Sequence, residues 1–472
     1  MVETAQSAGA RAAAPVRPAG RRGATITLAI ACAAVLLVLM DYNAPLVTVP
    51  ELASALHAGV TAQTWTMNGM VLGLAASMLI TGSLADDYGR RRVFVAGTVL
   101  FAVSLAAGAA VSSASLFVIS RVAQGVGASA MLTASMGLVA HAYPAGPARI
   151  RATGLWGAMI GLGVAVGPLV AATVSTVWDW RVSYAIYAVL AVAIVVVTVR
   201  MVPESRADDR HRLDPAGLVT LAAGLTLLLA GLTEGRTGWL RPSVGLLFAG
   251  AAVALAVFVA IELRRREPML DLRLFRRPDF VVATLGALIT GLAVIGFMSY
   301  LPTVFQRSLG TSVLGGALPV TVWAGISFLI SMQARRLPMA ARRQIAVGLV
   351  ISAVAYVVMF GAVEAGSMGR LYVAFAVSGV GSGLLNAALA RLAVESVPAG
   401  RGSMGSGANQ TARYLGSSAG VAITVVLAAG STGTASPEAL ARGTDVALLV
   451  ATALTVIGAV LALAIRPRAP RP

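Results

Sequence analysis

Three observations predict an all-α membrane protein of fourteen transmembrane helices. Of 472 residues, 58% are hydrophobic and only 12% charged, about half the charged share of a soluble globular domain. Apolar stretches recur from end to end, each long enough to cross a hydrocarbon core of about 30 Å at about 1.5 Å per residue. The arginines fall in alternate connections, as the positive-inside rule requires of helices that cross back and forth. No polar stretch exceeds about 25 residues, which excludes a large soluble domain.

The spans are read at 24–49, 61–84, 92–112, 115–140, 151–176, 182–202, 214–233, 241–263, 280–305, 311–333, 344–363, 370–393, 404–430 and 442–465. With the N-terminus in the cytoplasm, both tails, the even-numbered connections and the adjoining span ends hold 28 of the 36 basic residues, all of them arginine. The opposite side holds Arg181, Arg236, Arg241, Arg307, Arg370 and Arg442, and only Arg121 and Arg413 fall inside spans. A miscounted helix would scramble this alternation. Both termini are therefore expected on the cytoplasmic side of the cell membrane.

The net charge of +17 is spread between spans rather than gathered on one face, so no nucleic acid is expected as a partner. The single cysteine, Cys32, lies in the first span and permits no intrachain disulfide. Residues 1–23 are rich in Ala, Gly, Arg and Pro and are expected to be a disordered cytoplasmic tail. The apolar run after them is too long for a signal-peptide core.

The longest cytoplasmic connections, 203–213 and 264–279, bracket spans seven and eight. This suggests a six-helix bundle over 24–203, an inserted pair over 204–279, a second six-helix bundle over 280–466 and a short tail at 467–472. Transporters often consist of two such halves.

The turn between spans two and three reads "GSLADDYGRRRVFV", residues 82–95. Topology accounts for Arg90, Arg91 and Arg92 but not for Gly82, Asp86 and Gly89 at their spacing. Gly82 permits close helix approach, Asp86 can accept N–H bonds at a helix start, and Gly89 can take positive φ. The stretch resembles the loop signature of the major facilitator superfamily, with Asp87 in place of the usual basic residue. "RVAQGVGAS", 121–129, resembles the family's fourth-helix signature. "GLWGAMIGLGVAVGPLVAA", 154–172, is similar to the fifth-helix antiporter signature, with Gly154, Gly163, Gly167 and Pro168 at its spacing. "MDYNAPLVTVP", 40–50, and "EPMLDLRLFRRPDF", 267–280, resemble stretches of the drug:proton antiporter branch with fourteen spans. The resemblance implies two bundles around a central cavity, alternating access and a functional monomer. It also implies proton-driven export of amphipathic drugs or antibiotics.

In the fifth span, Gly154, Gly157 and Gly161 share one face at about 100° per residue, and Gly163 and Gly167 share nearly the opposite one. A helix smooth on two sides can be approached by two neighbours. The resemblance makes it the bearing on which the halves rock, and Pro168 can bend its end.

Asp41 lies roughly 25 Å into a span that starts inside, and Arg121 roughly 9 Å into one that starts outside, so the charges reach similar depth. The resemblance places both helices on the central cavity, where the two side chains are expected to interact directly or through water. Burial opposes ionisation of a carboxylate and a nearby cation favours it, so a small movement could load or release a proton at Asp41. An anionic site facing inward would attract cationic, lipophilic substrates.

Candidates to contact substrate are Asn43, Trp65, Asn68, Met70, Gln124, which stands one turn from Arg121, and Met131, with Met136 and Met159 as soft wall residues. In the second half they are Tyr300, Gln306, Trp323 and Asn386. Arg413 is read as snorkelling toward the cytoplasm, with Glu395 as a possible neighbour. The three histidines are scattered, and no HExxH, P-loop or metal spacing appears. Metal or cofactor chemistry and ATP-driven pumping are thus not expected, and no filter loop suggests a channel. A proton-coupled metabolite importer of the same fold is the alternative.

Overall fold

The computed structural model describes residues 21–207, 214–235, 238–265, 268, 270–334, 336–429 and 436–465. The expected tails before Arg21 and after Ile465, Arg236, and parts of both long connections lie outside these residues. Fourteen helices among the described residues are long and apolar enough to cross a membrane.

The predicted first span is divided into α1 (Arg21–Asn43) and a short α2 (Pro45–Ala55). Pro45 has no N–H and a fixed φ, so it begins a new helix rather than extending the old one. There follow α3 (Val60–Tyr88), α4 (Arg90–Ala110), α5 (Ala114–Ala142), α6 (Pro147–Val177) and α7 (Trp180–Met201). The pair α8 (Pro215–Gly235) and α9 (Pro242–Arg264) comes next. The predicted ninth span is α10 (Pro278–Ile289) and α11 (Gly296–Leu309), joined by a π-helical turn at Thr290–Ile295. An added residue of this kind is a common device at functional sites. The chain ends in α12 (Val313–Ala334), α13 (Ala341–Met359), α14 (Met368–Glu395), α15 (Gly402–Ala429) and α16 (Pro437–Ala464).

Helix α1 packs on α5, α6 and α7, while α5 also packs on α3 and α4. In the second half, α14 packs on α12 and α13, and α15 runs along α10, the π turn, α11 and α16. Each half has its own apolar core, centred on Phe94, Phe101, Trp156 and Tyr184 in one and on Phe297, Phe305, Tyr356 and Phe375 in the other. The halves meet where α15 crosses α3 and α5 and where α6 crosses α12 and α14. Helices α8 and α9 pair with each other, and α8 rests on α3 and α15. Outward-facing Val189, Leu246, Val253 and Leu449 are exposed, as suits a surface covered by lipid.

Glycine sets the tightest crossings. A Cβ on Gly73 of α3 would lie 3.0 Å from the Cα of Gly125 in α5. That approach fixes the height of Arg121, one turn before Gly125, against α1.

Candidate transport site

Near the end of α1, Asp41 is wholly buried beside the equally buried Arg121 of α5. Arg121 Nη1 lies 3.0 Å from each Asp41 carboxylate oxygen and donates to Gln124 Oε1 at 2.7 Å. Its Nε reaches the Thr66 carbonyl at 3.4 Å, and Gln124 Nε2 donates to the Ser104 carbonyl at 3.2 Å. Tyr184 and Tyr187 of α7 stand within electrostatic range of Asp41. The sequence reading has both charges facing the central cavity, but the structure encloses them inside the first bundle. A guanidinium that meets a carboxylate, an amide and a carbonyl together is held most strongly where water cannot compete. Removing one member of such a buried pair costs about 3–5 kcal/mol.

The residues around Asp41 link three helices. A Cβ on Gly163 of α6 would lie 2.5 Å from Leu39 Cβ, and one on Gly167 would lie 2.8 Å from Met40 Cα. The other face of α6 meets the second half: a Cβ on Gly157 would lie 2.8 Å from the Asn386 carbonyl and one on Gly161 2.8 Å from the Phe328 amide. Gly154 and Pro168 are also buried in α6. Next to Asp41, Tyr42 meets Tyr414 of α15 edge to face at 6.1 Å. Arg413 is 8% exposed and has Tyr42 and Tyr414 within electrostatic range. Its carbonyl lies where a Cβ on Gly291 would fall. It is therefore buried between helices rather than snorkelling to a surface, because the glycines of the ninth span draw α15 inward.

The α3–α4 turn joins the halves at the arginine-rich end. Asp86 accepts from Arg90 Nε at 2.9 Å and from the Met404 amide at 2.9 Å, so it caps the start of α15. Gly82 gives the clearance, since a Cβ there would lie 2.5 Å from the Ser403 carbonyl. Arg90 donates to the Gly400 carbonyl at 2.5 Å. Asp87, the departure from the loop signature, pairs with Arg401 across the halves at 2.6 Å. Gly89 turns at φ 123°, with the Glu204 carboxylate over it capping the amides of Arg91 and Arg92.

Other sequence candidates are dispersed. Asn43 donates to its own Leu39 carbonyl, and Trp65 donates to Glu234 of the inserted pair. Met70, Met131 and Met136 are in the first core, with Met159 packed against it. Asn68 and Gln306 are half-buried. Tyr300 packs on the second core. Trp323 donates to Ser382 and Asn386 to Ser327, which ties α12 to α14 beside α6. Glu395 pairs with Arg391.

Sequence reasoning missed Arg401, Glu204, Tyr42 and Tyr414. Glu204 carried a signal, as an acid just past a span among arginines. Tyr42 carried another, beside a mid-span acid.

The family described as Major Facilitator Superfamily matches residues 31–421. The chain is similar to multidrug resistance protein Stp of Mycobacterium tuberculosis (strain CDC 1551 / Oshkosh), 29% identical over 83% of this chain and 74% of that protein. It is also similar to cephamycin export protein CmcT of Amycolatopsis lactamdurans, 29% identical over 89% of this chain and 87% of that protein. Among solved structures, the human organic anion transporter MFSD10 (TETRAN) matches with a TM-score of 0.67 at 17% identity, over 93% of this chain and 99% of that one. At that identity the likeness shows the fold alone.

Proposed function

The chain belongs to the Major Facilitator Superfamily, and from that premise we propose that it exports amphipathic, drug-like compounds across the cell membrane in exchange for protons. The relatives named for multidrug resistance and for antibiotic export support this direction of transport. The arginine-rich end, with both termini, faces the cytoplasm, and one chain is the working unit.

The observation that carries the proton step is the sealed Asp41–Arg121 pair. Arg121 keeps its charge at any accessible pH, so a proton can be exchanged only at Asp41. Protonation cancels the ionic attraction and leaves Arg121 with Gln124, the Thr66 carbonyl and only long contacts of 3.4 and 3.5 Å to the Asp41 carbonyl. That loosens α1 at residues 39–42, the segment that touches α6 on one side and Tyr414 on the other. Because α6 meets α1 on one face and α12 and α14 on the other, a shift in α1 is transmitted to the second half. The conformer described here, held together at its arginine-rich end by Asp86, Arg90 and the Asp87–Arg401 pair, is one shut toward the cytoplasm in this cycle. Opening toward the cytoplasm breaks those contacts and admits substrate.

The test uses everted membrane vesicles with an imposed pH gradient and a matched pair of xanthene dyes, anionic fluorescein and cationic rhodamine 123. Wild type is expected to accumulate at least one dye in a manner abolished by an uncoupler. Asp41→Asn, which keeps shape and removes the ionisable group, is expected to lose gradient-driven accumulation by at least about tenfold. Undiminished uncoupler-sensitive transport by that variant would overturn the proton role of Asp41. Net dye import into intact cells would favour the importer instead.

A further inference from the structure

We propose that Arg413 is the charge-recognition residue for substrate, and that the preferred substrate carries an acidic group beside an aromatic body. The inference deepens the export reading and rests on it for the direction of transport, though not for binding.

The charges already engaged narrow the choice of substrate. Had the Asp41 carboxylate been free at the centre, the substrate would be expected to carry a positive charge. The structure gives that carboxylate to Arg121, whose Nη1 faces both oxygens at 3.0 Å, with Gln124 completing the set. The acid closest in sequence to the centre is thus satisfied and enclosed.

Arg413 is the opposite case. It stands about a dozen residues into α15, roughly 17 Å from the helix start and so near mid-membrane. It is 8% exposed. Among the described residues no carboxylate pairs with it. Two tyrosines stand within electrostatic range, Tyr414 on its own helix and Tyr42 on α1 of the opposite half, and as neutral phenols neither supplies a counter-charge. A cation placed among apolar helices without a counter-charge is costly, and such residues mark substrate or ion sites. Snorkelling does not relieve the cost here, since the residue stays enclosed between helices.

The surroundings define the ligand class. A guanidinium offers a planar fork of donors suited to a carboxylate, sulfonate or phenolate. The Tyr42–Tyr414 pair, edge to face at 6.1 Å, supplies aromatic surface beside it. Because the tyrosines come from opposite halves, a ligand seated on Arg413 also touches the elements that must separate. Tyr42 is adjacent in sequence to Asp41, so occupancy at Arg413 and protonation at Asp41 act on the same turn of α1.

The test is direct binding to the full-length chain purified in a neutral detergent, read by fluorescence anisotropy with fluorescein and rhodamine 123. Wild type is expected to bind fluorescein more tightly than rhodamine 123. Arg413→Gln is expected to weaken fluorescein binding by about tenfold or more while leaving rhodamine 123 binding within about twofold. Arg413→Lys keeps the charge without the fork and is expected to be intermediate. Thermal unfolding of each variant is measured in parallel, and a melting temperature at or above that of wild type shows that packing is intact. If Arg413→Gln lowers the melting temperature, Arg413→Met is the packing-compatible substitute and must show the same selective loss. Equal fluorescein affinity in wild type and the neutral variant would overturn the inference. So would tighter binding of rhodamine 123 by wild type, or parallel loss of both dyes. Arg413-dependent fluorescein binding without gradient-driven movement in vesicles would leave this inference standing and overturn the export reading.

Discussion

At the scale of single residues, charge pairing decides which side chains can act. Asp87 departs from the loop signature, and the structure shows why an acid suits that place: it meets Arg401 of the other half at 2.6 Å, with both side chains nearly buried. Asp87→Asn keeps an acceptor for Arg401 but removes the charge, and is expected to weaken the joined conformer by about 1–3 kcal/mol. Asp87→Arg combined with Arg401→Asp is expected to recover part of it, and a double-mutant cycle on cytoplasmic cysteine labelling measures the coupling. The sequence made Asp41 and Arg121 legible because each interrupts an apolar run and helix rise sets their depth. It did not make Arg401 legible, because one arginine among many at a membrane edge looks like topology. Whether a charge is paired depends on contacts between residues 314 apart in the chain.

At the scale of the helix, small residues place backbones in contact and so govern motion. Helix α6 has glycines toward α1 on one face and toward α12 and α14 on the other. Gly161→Leu would drive a side chain into the Phe328 amide and the Ala324 carbonyl, 2.8 and 2.9 Å from the Cβ position. It is expected to cut vesicle transport by more than about tenfold, because an overpacked contact cannot relax without moving backbone. A Cβ on Gly245 in α9 meets nothing within 4 Å, and Gly245→Leu is expected to transport like wild type, so the comparison separates a contact effect from the loss of a glycine. The glycine faces were readable because a helix repeats at a fixed angle. The breaks in the first and ninth spans were harder to read. Hydropathy runs unbroken through Pro45, and nothing local distinguishes a π turn from ordinary helix at Thr290–Ile295.

At the scale of the whole molecule, fourteen spans and their order were legible because lipid demands long apolar helices and charge bias orients them. The pairing of α3 with α15 and of α6 with α12 was not, since such contacts join elements far apart in sequence. These crossings can be locked. A Cβ on Gly402 would lie 3.1 Å from Ala140 Cβ across the halves, close to the separation a disulfide needs. Ala140→Cys with Gly402→Cys is expected to cross-link on mild oxidation, to stop dye transport and to regain it on reduction. The single native thiol, Cys32, is buried and leaves the background low. Continued transport by the oxidised double variant would show that the halves need not part at this end.

The Asp41–Arg121 pair contains one group that can change its protonation, so the proposed proton role of Asp41 would carry a single proton per cycle. Exchange of one inward proton for one outward monoanion moves two elementary charges in the same electrical sense, whereas a monovalent cation leaving would move none. Each such charge is worth about 2.3 kcal/mol per 100 mV. An acidic cargo recognised at Arg413 would therefore make this carrier a generator of current, powered by membrane voltage as well as by acidity, and a cationic cargo would leave it electrically silent.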